Sequence, residues 1–183
     1  SELAAMNERV RVGQFTALYS QGKISNAASP AIAAVVCFVV WEEVSSNRVI
    51  VWLAFVILAS ILRGIVYRRF NQAMPGRSTI TQSTRWAFLA TTFVSGLVWG
   101  AGVAMIFPET NFVLQAFLIV VVLGMGAGAA ASFGPYLPAL AVFVIPLTIP
   151  ISTILLAQQT SMHVALGTFG FIFLVVLLLL GSA

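Results

Sequence analysis

From residue 24 onward, long apolar runs alternate with short polar breaks. Six runs have the length of a membrane-crossing helix: Ile24–Trp41, Val49–Tyr67, Trp86–Phe107, Phe112–Phe133, Leu137–Ala157 and His163–Leu180. A spanning helix needs ~20 mainly apolar residues. Lipid leaves backbone polar groups no outside partner, which favours helices. The other solution, a barrel, shows strict alternation in ~10-residue segments, and Phe117-Leu118-Ile119-Val120-Val121-Val122-Leu123 does not alternate. Residues 1–23 follow a different pattern. Leu3, Met6, Val10, Phe15 and Leu18 recur at helical spacing, with Glu2, Glu8, Arg9 and Arg11 on other faces, as in a helix lying on a membrane surface. The pattern predicts an all-α integral membrane protein: a cytoplasmic amphipathic leader helix over 1–23, then a six-transmembrane-helix bundle over 24–183.

Composition agrees. Of the 183 residues, 60% are hydrophobic and 8% charged, and mean hydropathy is +1.04, against about 25% charged in soluble domains. The net charge of +4 reflects topology rather than affinity for nucleic acid. With both termini cytoplasmic, only Arg48 of the nine basic residues falls outside. This is the positive-inside bias and predicts a multi-pass membrane protein with both termini cytoplasmic. Outer connections are then short, and the longest connection, Arg68–Arg85, is cytoplasmic with Pro75-Gly76 as its turn. Ser1 and Gly181-Ser182-Ala183 read as boundaries within a longer chain.

The candidate chemistry is sparse. One Cys, one His and five acidic residues form no catalytic set and no ligand spacing for a metal, so neither a catalytic site nor a cofactor is expected in this chain. Gly96 and Gly100 in the third run, and Gly124 and Gly128 in the fourth, form two small-xxx-small pairs, which let helix backbones approach closely. They predict packing of helices three and four within the core, with subunit dimerisation or room for a ligand as the alternatives. Pro146 and Pro150 interrupt the fifth run. Each removes a backbone donor and frees a carbonyl one turn back, which predicts a kink or, in a functional role, a hinge, with Thr148, Ser152 and Thr153 placed to bond the freed groups. Arg63 is the deepest cation, and its stem is long enough to snorkel toward Arg68 and Arg69. Near the outer face, Trp41, Trp52 and Trp99 supply aromatic walls, with Glu42, Gln115 and His163 as polar groups. Together they predict a pocket for a small amphipathic ligand in the outer half of the bundle.

Several features in order carry a resemblance. They are Glu8-Arg9-Val10 in the leader, Trp41, Val51-Trp52-Leu53 with Arg63, Trp86, Ser95-Gly96-Leu97-Val98-Trp99-Gly100, Gly124-Met125-Gly126-Ala127-Gly128, and Pro146 with Pro150. The chain resembles the N-terminal multi-helix membrane sensory domains of bacterial signalling proteins. The resemblance implies a homodimeric input module of a bacterial inner membrane, whose last helix leads to a cytoplasmic output domain of the same polypeptide. That output would be a GGDEF or GGDEF–EAL domain that makes or degrades cyclic di-GMP, or a histidine-kinase core. No GGDEF-type stretch and no kinase His box occurs in these residues. The main alternative is a small channel or transporter, which calls for a continuous polar pathway or internal repeats.

Overall fold

The computed structural model describes residues 26–73, 82–134 and 136–182. Among them are six helices: α1 (Asn26–Val40), α2 (Ser46–Ala73), α3 (Gln82–Met105), α4 (Phe112–Phe133), α5 (Leu137–Ala157) and α6 (Ser161–Ser182). Helices α2 to α6 are each long and apolar enough to cross a membrane, and α1 is apolar but shorter over its described length. The protein is therefore an all-helical membrane protein with five helices of spanning length. The leader over 1–23 and the Pro75-Gly76 turn lie outside the described residues.

Helices α4 and α5 match their apolar runs residue for residue. Helix α2 continues past Tyr67 to Ala73, and α3 starts at Gln82, because a helix does not have to stop where the lipid stops. Asn111 caps α4, its side chain accepting from the Leu114 amide at 3.3 Å. Pro138 sits in the first turn of α5, where a missing N–H costs nothing. Between α5 and α6 the chain passes through Gln159 with φ of 56°, the one left-handed non-glycine residue among those described.

The surface is apolar and the core only slightly more so. Phe38 is 84% exposed and Val113 75%. In water such a surface would aggregate, whereas against lipid tails it costs nothing. With no hydrophobic drive between helices, close packing decides the arrangement. Helices α3 and α5 form the central pair, with half or more of their apolar windows buried, against about a quarter for α2 and α6.

The glycines account for this pairing. A Cβ on Gly96 would run into the Phe143 carbonyl, and one on Gly100 into the Pro146 carbonyl and the Leu147 backbone. Gly96 and Gly100 thus close α3 onto α5. Gly124 and Gly128 meet nothing within 4 Å, and α3 and α4 touch least of the packed pairs. Spacing fixes which face carries small residues but not which neighbour meets it. Gly167 and Gly170, by contrast, seat α6 against Ser152 and Leu156 of α5.

Helix α5 stays continuous through Pro146 and Pro150. Thr153 Oγ1 donates to the Pro150 carbonyl at 2.8 Å, whereas the buried hydroxyls of Thr148 and Ser152 have no partner. The carbonyls that the prolines free belong to Val142 and Pro146, one turn earlier. Thr153 bonds neither, so the expected local compensation is not made by these side chains. The Pro146 carbonyl faces Gly100 instead.

Candidate functional site

The six residues expected to line one outer pocket fall into separate groups. Trp52 and Trp99 are almost fully buried, edge to face with ring centroids 5.3 Å apart. The Trp52 indole donates to the Val98 carbonyl at 3.1 Å, and that of Trp99 donates to Ser29 Oγ at 2.8 Å. A buried indole N–H needs such a partner, and here the partners join α2 and α1 to α3.

Gln115 and His163 form a second group at the far end of the bundle. Gln115 Nε2 donates to the Pro108 carbonyl at 2.9 Å, and its Oε1 lies 2.8 Å from His163 Nε2. With Nε2 of the amide committed as a donor, Oε1 must accept, so the imidazole carries a proton on Nε2. His163 Nδ1 then faces the Thr160 hydroxyl, and the ring meets Phe112 edge on. The cluster ties the start of α4 to the start of α6 and satisfies the loop between α3 and α4. Asn111 adds a bond to Glu43 at 3.1 Å. Trp41 and Glu42 are exposed and belong to neither group.

A candidate ligand space lies elsewhere in the bundle. A cavity of about 600 Å³ sits toward the end where α2 finishes and α3 begins, between α1, α2, α3 and α4. Of the six expected residues, Trp99 alone lines it. Gly124, Gly128 and Ala131 of α4 give one wall of small side chains, and Trp99 and Phe143 give aromatic surface. Polar atoms come from Asn26, Ser29, Ser60, Ser95 and Ser132. Gly124, Gly128 and Ala131 are exposed, so among the described residues this wall meets no neighbouring helix and the cavity is open along α4.

Arg63 also lines this cavity. It is 5% exposed, so it turns into the bundle instead of snorkelling toward Arg68 and Arg69. Its guanidinium lies 5.1 Å from the Phe133 ring centroid and 5.7 Å from that of Tyr67. These rings belong to an aromatic chain that runs Tyr67, Phe88, Phe133, Phe143 across four helices. Ring faces attract the cation but give its N–H groups no acceptor in the plane. Nε and Nη2 of Arg63 have no hydrogen-bond partner.

Length and hydropathy left Arg63 ambiguous, because burial or snorkelling depends on which neighbour faces it. The serines gave a fainter signal: single hydroxyls inside apolar runs at Ser29, Ser60, Ser95 and Ser132, which converge only once α1 to α4 are assembled. Among the described residues no cluster of His, Cys, Asp or Glu is able to hold a metal ion. No family model, no curated protein and no solved structure matches this chain.

Proposed function

We propose that this chain is the membrane-embedded input module of a bacterial signalling protein, responding to a small amphipathic ligand held inside the helix bundle. In this reading α1 completes a sixth span, both ends are cytoplasmic, and α6 leads to an output domain that turns over cyclic di-GMP or transfers phosphate. The observation that carries it is the cavity of about 600 Å³ walled by the open face of α4. Ligand sites of ~300–1,000 Å³ are typically mostly apolar with a few polar groups, and this one has that character.

The placement of α4 supplies a route for the signal. Gly124 and Gly128 look into the cavity, while Gly126, on the opposite side of the same helix, lies against Phe173 and Leu177 of α6. A ligand favouring one position of α4 would bias α6 through that contact, provided it binds the two arrangements with different affinity.

The test uses the full-length protein in membranes. Gly124→Leu and Gly128→Leu fill the cavity and should each shift cyclic di-GMP turnover or autophosphorylation at equal protein level. Unchanged output in both variants would reduce the bundle to an anchor. Absence of either activity from the full-length protein would remove the signalling assignment.

A further inference from the structure

An ionisable side chain inside a membrane protein is costly to keep and almost always pairs with something. Arg63 is buried at 5% exposure, yet Nε and Nη2 are unpartnered. No carboxylate answers it among the described residues: Glu42, Glu43 and Glu109 all lie at the opposite end of the bundle. Both nitrogens are enclosed by protein, while Arg63 itself lines the cavity, so its charge reaches the cavity and a hydrogen bond to Nε or Nη2 calls for a turn of the side chain.

We infer that Arg63 is the head-group anchor of the cavity, seating the oxyanion of an amphiphile, a carboxylate or a phosphate, whose apolar tail lies along the small-residue wall of α4. This rests on the reading of the cavity as a ligand site and names the ligand's chemistry. Three further features suit such an occupant. The Phe133 and Tyr67 rings hold the guanidinium by their faces and give its charge no counter-ion. Ser29 accepts from the Trp99 indole, and a hydroxyl that accepts one bond still has a proton to donate. Gly124 and Gly128 have open space in front of them, where a methylene chain meets no side chain. A ligand with a neutral or cationic head would leave the Arg63 charge unanswered and is disfavoured for that reason.

The experiment reads the buried Trp52 and Trp99 pair. Trp41 and Trp86, both exposed, are replaced by phenylalanine, and the full chain is placed in nanodiscs of zwitterionic lipid. Brominated dodecanoate should quench the remaining fluorescence at lower concentration than brominated dodecanol or a brominated dodecyl-trimethylammonium. Arg63→Gln should weaken dodecanoate by ~10- to 100-fold, the range for lost hydrogen bonds to a charged group, and should not weaken dodecanol. Arg63→Lys keeps the charge on a smaller, more strongly hydrated head and should fall between, which covers the case in which the glutamine variant folds poorly. Arg63→Met should not lower the melting temperature of the ligand-free protein, since it removes a buried cation without a partner. Unlabelled lysophosphatidate in competition distinguishes the sources. Displacement of dodecanoate by it at lower concentration than by dodecanoate itself assigns the site to a lipid phosphate, and the reverse order assigns it to a free carboxylate. Equal quenching by dodecanoate and dodecanol, indifferent to Arg63, overturns the anion assignment and leaves the cavity standing. Quenching by none of the amphiphiles, with Gly128→Leu changing nothing, overturns the cavity reading itself.

Discussion

Gly100 and Gly128 are both glycines in apolar helices, and their surroundings set them opposite tasks. Gly100 lets α3 approach the Pro146 carbonyl, which Pro150 deprives of its usual donor one turn on. A Cα–H pointing at that oxygen gives a weak hydrogen bond, and no side chain fits between. Gly128 stands before open space. Gly100→Ala should therefore cost ~1–3 kcal/mol, as overpacking against immovable backbone does, whereas Gly128→Ala should stay within about 0.5 kcal/mol of the parent. Unfolding of both variants in the same detergent measures the contrast, and equal losses would mean that the wall of α4 is occupied by something. Gln115 and His163 show the same dependence on neighbours. Their polarity attracted a ligand reading, and their bonds to Pro108, Thr160 and each other make them a clamp between helix starts.

At the scale of elements, α5 is the spine. It meets α3 through Gly96 and Gly100 on one side and α6 through Gly167 and Gly170 on another. The second seam is tight at one point: a Cβ on Gly170 would run into Ser152 Oγ, a hydroxyl that is fully buried without a partner. Ser152→Ala removes that oxygen at little cost, since nothing is left unbonded by its loss. Gly170→Ala alone should destabilise the bundle by about 1–3 kcal/mol, and Gly170→Ala with Ser152→Ala should recover at least half of the loss. A double-mutant cycle on thermal unfolding reads this coupling, and simple additivity would show that the two residues do not meet. Helix α4 differs in having one face committed to α5 and α6 and the other to the cavity, which makes it the element whose position a ligand would bias.

For the whole molecule, the charges and the cavity refer to the same axis. Among the described residues Arg48 lies at one end of the bundle, Arg63, Arg68, Arg69 and Arg85 lie toward the end where α2 finishes and α3 starts, and the cavity lies toward that second end. If that end is cytoplasmic, the site is reached from the inner leaflet. In a Cys37→Ala background, a membrane-impermeant thiol reagent applied outside should label Glu109→Cys and spare Arg77→Cys. Labelling of position 77 with protection of position 109 would reverse the orientation and put the cavity toward the outer leaflet.

Hydropathy alone determined the class, the helical character and the bounds of α4 and α5, because the bilayer imposes one length scale and one rule about backbone bonding on every span. It also identified Gly96, Gly100, Gly124 and Gly128 as small faces, since 3.6-residue periodicity is a local property. Which helix each face meets is not local. In lipid nearly every surface is apolar, so side-chain polarity does not rank the possible neighbours, and shape does. Tertiary packing therefore decided that α3 closes on α5, that Trp52 and Trp99 are core, that Gln115 and His163 brace two helix ends, and that Arg63 turns inward. The cavity belongs to the same category: it exists because α3 and α4 stay apart, a relation between two helices that neither sequence states.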